Sequence, residues 1–342
     1  MEPLEKILCL EPAYVSQFPC RRDRSRCPFH LADACPYEHM RRVNDIFERS
    51  FSLLCPSAAR IILSQDAGFF LRYHTYSSSD LKRADQDKPA DVPELSYLLE
   101  LQRASLRILK AADYTINERL VLLGIYLEDA ADFIRDGRGN HLDTLLKSYC
   151  SPFFKKRFQT AVKNISFKPI QHLDFLWKAI KKLADDPALL SPEQLKQARS
   201  AFRLDFTPPD LHRVASAWSA GEHNLTRFVL YRFPHLQENL LTHAFYTLFV
   251  PIWIPGGIIH NYWVFVTLWK LWEFFLTASA TIKRNQLTEK DILTLSSSMA
   301  RILPSSSGRA AIEEILDGQE DASIELFGKL FHITSQNPAQ EL

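Results

Sequence analysis

Five of the six cysteines fall within the first 55 residues: Cys9, Cys20, Cys27, Cys35 and Cys55. Six residues separate Cys20 from Cys27, seven separate Cys27 from Cys35, and nineteen separate Cys35 from Cys55. Thiolates are soft ligands, so Cys20, Cys27, Cys35 and Cys55 converging from one loop-rich segment could hold zinc or an iron–sulfur cluster. Arg21, Arg22, Arg24 and Arg26, which lie between the first two, would favour the thiolate form and offset the charge of such a centre. Pro56 suits the first turn of a helix, which places the Cys55 sulfur at a helix N-terminus, where the dipole favours an anion. Buried core thiols should scatter along a chain, and these do not. Cys9 and Cys150 have no nearby partner in sequence and read as core residues.

A second ligand set is compatible with zinc. Cys20, Cys27, Cys35 and His39 fall in a Cys-Cys-Cys-His order with three residues before the histidine, a pattern similar to single-stranded RNA-binding fingers. Phe29 and Tyr37 could then stack on bases. The rest of the chain offers no matching basic surface.

Composition narrows the remaining possibilities. The 342 residues carry 41 Lys+Arg against 40 Asp+Glu, a net charge of +1, which excludes whole-molecule electrostatic capture of nucleic acid or anionic membrane. Ten glycines in this length is less than half the usual ~7%, and disfavours hairpins and phosphate-cradling loops. No Gly-x-Gly-x-x-Gly, Walker loop, His-Glu-x-x-His or Gly-x-Ser-x-Gly occurs, so dinucleotide, P-loop, zincin and serine-hydrolase chemistry have no anchor. His172, His212 and His235 are scattered and read as helix-surface or core-edge residues. Cysteine usage and the lack of a secretory leader point to a reducing, cytoplasmic setting.

The elements that must position these residues are predicted to be helices, giving a mainly α fold. An irregular Cys-rich N-terminal segment packs on a multi-helix body. Thr115 with Glu118 forms a capping box; Ser151-Pro152 and Ser191-Pro192 mark two more starts; Thr288 with Asp291 opens a helix ending near Leu303-Pro304. No sustained period-2 alternation or Asn-Gly turn signals a sheet. The division is residues 1–60 as the Cys-rich segment leading into a first helix, 77–93 as a polar loop, and 94–342 as the helical body. Residues 244–282 are intensely apolar, but Pro251, Pro255, Gly256 and Gly257 interrupt them, and Lys270 and Glu273 sit mid-way. A central buried helix is expected there, with no membrane span.

Several pieces, in order, resemble the bacterial flagellin lysine-N-methylase family. Glu11-Pro12-Ala13-Tyr14-Val15-Ser16-Gln17-Phe18-Pro19-Cys20 resembles its opening segment, and Ser52-Leu53-Leu54-Cys55-Pro56-Ser57-Ala58-Ala59-Arg60 its Ser-Cys-Pro-Glu-Ala-Ala-Arg helix start. Glu118 to Gly124 with Leu127-Glu128, then Glu238-Asn239-Leu240-Leu241, then Leu287 to Asp291 leading to Arg301, resemble later helices. The departure is a shortened N-terminal region that lacks the family's adjacent Cys-Cys pair.

The resemblance implies methyl transfer to flagellin lysines from S-adenosylmethionine, with a four-iron cluster on Cys20, Cys27, Cys35 and Cys55 and with Arg41 and Arg60 toward the cofactors. Flagellin is the implied partner, and no specific nucleic acid is needed. Methylating a lysine requires a neutral amine, because an ammonium has no lone pair, and desolvation lowers a lysine's pKa. Trp263, Trp269 and Trp272 could wall such a channel, with Glu273, or Glu238 with Asn239, supplying a polar contact. The same tryptophans could equally fill a core, and Lys270 could pair with Glu273. Two non-enzymatic readings stay open: a helical binding module without a cluster, and the zinc-finger RNA binder.

Overall fold

Four helix starts behave as their sequences require in the computed structural model, which describes residues 6–12, 35, 37–43, 46–64, 71–77, 96–165, 167–202, 211–247, 257–302, 305–317, 327 and 330–331. Among these, β1 is Lys6–Pro12, β2 Glu38–Val43, β3 Ile46–Phe51 and β4 Leu71–Ser77, with α1 (Pro56–Ser64) between β3 and β4. The helical body follows: α2 (Leu98–Leu109), α3 (Ile116–Arg135), α4 (Leu142–Tyr149), α5 (Pro152–Lys163), α6 (Pro169–Ala184) and α7 (Pro192–Phe202). It continues with α8 (Leu211–Leu225), α9 (Leu236–Thr247), α10 (Gly257–Lys283), α11 (Glu289–Ile302) and α12 (Ser306–Asp317). The protein is mainly α.

Thr115 Oγ1 accepts from the Glu118 amide while Glu118 Oε2 accepts from the Thr115 amide at 2.7 Å. The Ser191–Gln194 and Thr288–Asp291 pairs repeat that reciprocal arrangement at α7 and α11, and Ser151 caps α5. Each cap satisfies amides that the helix cannot, and is worth about 1 kcal/mol. After α8 the chain makes one π-helical turn, Thr226–Leu230.

The N-terminal segment is more regular than its composition suggests. It carries a four-stranded sheet in the order β2-β3-β1-β4, with β3 and β1 parallel and the two outer pairs antiparallel. Its strands escape a period-2 reading because β2 (Glu38–Val43) is largely charged and the middle of β1, Ile7 to Leu10, is apolar without alternation. Arg49 of β3 reaches both Glu11 of β1 and Glu38 of β2, tying three strands by charge. Cys20, Cys27 and, apart from Ser77, the 77–93 loop lie outside the described residues.

The apolar stretch becomes α10, 27 residues long and buried on nearly every side by α3, α6, α7, α8, α11 and α12. A helix apolar all round belongs in a core. Among the described residues no helix is long and apolar enough to cross a membrane. Its approach to α3 depends on Gly124: a Cβ there would lie 2.7 Å from the Tyr262 ring and 2.8 Å from Phe327. Tyr262 cannot easily retreat, because its hydroxyl donates to the Leu120 carbonyl at 2.8 Å. Gly124→Leu is therefore expected to destabilise the fold by about 1–3 kcal/mol through overpacking, read as a lower urea midpoint.

Candidate functional site

One backbone clasp decides where two of the metal-candidate cysteines sit. The Ser52 amide donates to the Tyr37 carbonyl at 2.8 Å, continuing the β2–β3 ladder by one step past Glu38 and Phe51. Two residues before Tyr37 is Cys35, whose carbonyl accepts from the Glu38 amide; three residues after Ser52 is Cys55, whose amide donates to the Ser52 carbonyl. The half-buried Cys35 and the buried Cys55 thus belong to the same end of one hairpin. The Ala59 amide donates to the Cys55 carbonyl at 2.9 Å, so Cys55 stands at the head of α1, as Pro56 predicts. Among the described residues no three His, Cys, Asp or Glu side chains are arranged to hold a metal ion. Cys150, expected in the core, is exposed instead. It caps the C-terminus of α4 at the turn into Ser151-Pro152, and a short turn between two surface helices leaves its side chain outward.

Beside the same clasp lies a cavity of about 140 Å³. His39, Ser52 and Leu53 form its N-terminal edge, Leu240, His243 and Thr247 come from α9, and Phe265, Trp269 and Trp272 come from α10. Ser296 and Met299 of α11 close it. The position of Leu53 is fixed from α11, where Ser297 Oγ donates to the Leu53 carbonyl at 2.8 Å. Trp269 and Trp272 stack with centroids 4.9 Å apart, and the Trp272 indole donates to Ser296 at 3.2 Å. The Trp269 indole N–H is buried with no hydrogen-bond partner among the described residues. Such a donor costs about 1–3 kcal/mol unless a ligand or water engages it.

No Asp, Glu, Lys or Arg lines this cavity among the described residues. His243 is fully buried, and desolvation pulls its pKa down to about 3 against the opposing pull of a hydrogen bond to the Phe51 backbone. Its Nε2 lies 3.2 Å from Thr247 Oγ1. The His243 imidazole is neutral at neutral pH, so the buried wall of the chamber presents aromatic surface and the dipoles of Ser52, His243, Thr247 and Ser296.

The carboxylates expected to serve a substrate amine lie elsewhere. Glu273 Oε2 accepts from Lys270 Nζ at 2.7 Å, and the same ammonium reaches Asn117 Oδ1 at 2.7 Å and lies over the Phe331 ring. Glu238 Oε2 takes Arg119 at 2.6 Å, and that guanidinium also donates to the Tyr114 and Leu109 carbonyls. Glu238 therefore braces α9 against α3, Glu273 holds the Lys270 that reaches α3, and neither acid lines the aromatic cavity. Asn239 is buried on α9. Trp263 packs on Tyr262 and Phe327 rather than with the other two tryptophans. Arg60 is 71% exposed and pairs with Glu289 at 3.3 Å; Arg41 stands in β2 in register with Glu48. His243 and Thr247 were not singled out by sequence reading. The signal available was a histidine and a threonine four residues apart, on the apolar second half of α9.

Residues 102–328 match the family described as FliB lysine N-methylase C-terminal domain. Comparison with curated proteins and with solved structures found no match. The matched span runs from α2 through α12 and carries the α9, α10 and α11 walls of the aromatic cavity. Covering about two thirds of the sequence, the match establishes that this chain belongs to the FliB lysine N-methylase family.

Proposed function

We propose that the protein is a flagellin lysine N-methyltransferase and that the aromatic cavity receives the lysine side chain. The observation that carries the reading, beyond family membership, is the shared clasp: residues 52–55 contribute Ser52 and Leu53 to the cavity edge and Cys55 to the cysteine set. A lining with no carboxylate among the described residues strips water from an entering amine without holding it as ammonium, which favours the neutral nucleophile. Trp269, Trp272 and Phe265 exclude water from the alkyl chain.

Cys20, Cys27, Cys35 and Cys55 are the proposed ligands of a four-iron cluster. Two of these, Cys35 and Cys55, meet the requirement of a common origin at one hairpin end, and four thiolates are the donor set such clusters take. S-adenosylmethionine, when bound, supplies the methyl group that the lysine nitrogen accepts. Protein purified without oxygen is expected to be brown, and Cys55→Ala to lose most of its iron by elemental analysis. A colourless wild type holding stoichiometric zinc, or iron content unchanged in Cys55→Ala, would contradict the cluster assignment. For the activity itself, mass spectrometry of flagellin from cells with and without this protein should differ by 14 Da steps at lysines; identical spectra overturn the reading.

A further inference from the structure

A second, larger cavity of about 630 Å³ lies between α2, α3, α4 and α5, and among the described residues none lines both cavities. Its volume falls within the range of small-molecule sites, about 300–1,000 Å³. Arg103, Arg107 and Lys110 all line it. The first two are four residues apart and the third follows by three, so they share one face of α2 and its C-terminal end. Like charges at that spacing oppose helix formation, offset in part by the negative end of the dipole for Lys110. From α5, Lys155 lines the same space and holds Asp113, the single carboxylate among its described lining residues, at 2.8 Å. The same cavity has an apolar part to its wall, with Leu106, Leu122 and Tyr114. Burial pulls the Lys110 pKa below its ordinary value, against the pull of Glu238; an anion placed beside that ammonium would reverse the shift.

We infer that this cavity binds an organophosphate of mononucleotide size, with its phosphate on Arg103, Arg107 and Lys110 and its apolar portion against Leu106, Leu122 and Tyr114. Among the described lining residues four basic side chains face one carboxylate, a balance that favours an anionic over a sulfonium ligand, so this is a site separate from the methyl donor. It stands or falls independently of the lysine cavity.

Adenosine monophosphate is the probe, titrated calorimetrically into the full chain beside adenosine and inorganic phosphate. Saturable binding is expected for the nucleotide, with adenosine and phosphate each weaker by at least about tenfold because each lacks half of the complementary chemistry. Arg107, being exposed, tolerates replacement without loss of fold; Arg107→Glu should weaken the nucleotide by at least about tenfold and Arg107→Lys by less. Cys150 lies on the cavity wall and is exposed, so bound nucleotide should slow its alkylation by iodoacetamide, read peptide by peptide. Absence of binding, equal affinity for phosphate alone, or nucleotide binding that neither Arg107→Glu weakens nor Cys150 alkylation detects would each overturn the assignment.

Discussion

Trp269→Ala is expected to abolish flagellin lysine methylation, with product falling by at least about a hundredfold in a fixed-time assay, roughly 2.7 kcal/mol of transition-state stabilisation. Trp269 is 3% exposed, stacks on Trp272 and lines the aromatic cavity. On the proposed reading its removal admits water to the cavity that receives the amine, and it removes an N–H donor that has no partner among the described residues. Truncating a buried aromatic also destabilises by about 3–5 kcal/mol, so the variant alone cannot separate folding from function. Trp269→Phe keeps most of the apolar volume and loses the donor. It should fold, keep its thermal melt within a few degrees, and retain measurable but reduced methylation. A folded Trp269→Ala protein with undiminished activity would remove the cavity from the reaction.

The second large effect concerns acid. His243 titrates near pH 3 in the folded chain because burial disfavours its charged form, whereas an unfolded histidine titrates near 6.5. Between these values the unfolded state holds a proton that the native state refuses. Stability is therefore complete above about pH 6.5 and falls on acidification toward pH 3, by about 1.4 kcal/mol per pH unit at most. Urea unfolding at about pH 7 and pH 5 should show a loss of about 2 kcal/mol traceable to this residue. His243→Gln can still hydrogen-bond Thr247 or Phe51 but has nothing to protonate. It should be less stable than wild type at pH 7 and lose less between the two pH values. Equal losses in the two proteins would mean that His243 does not carry the acid sensitivity.

These expectations trace to different levels of the chain. Helix starts were readable residue by residue, because a cap is a contact among neighbours: Thr115 with Glu118, Ser191 with Gln194 and Thr288 with Asp291 need no distant partner. The central helix was equally legible, since residues apolar all round can satisfy themselves only in a core. The N-terminal sheet was not, because its parallel β1–β3 pairing joins segments some forty residues apart and leaves no local alternation. The acidic residues teach the same lesson from the other side. Glu238 and Glu273 have the types and neighbours of site residues, yet Arg119, 119 positions away, and Lys270 with Asn117 engage them.

The amino-acid order alone determined the helical class, the position of Cys55 at a helix head and the pairing of Lys270 with Glu273 as one option, all of which depend on residues within one or two turns. Tertiary packing decided that Trp269 and Trp272 share a cavity with Leu53 while Trp263 does not. It likewise brought His243 of α9 against Phe51 of β3. The physical reason is that desolvation and cavity shape are properties of surfaces meeting from distant parts of the chain. No single segment carries them until the others have packed around it.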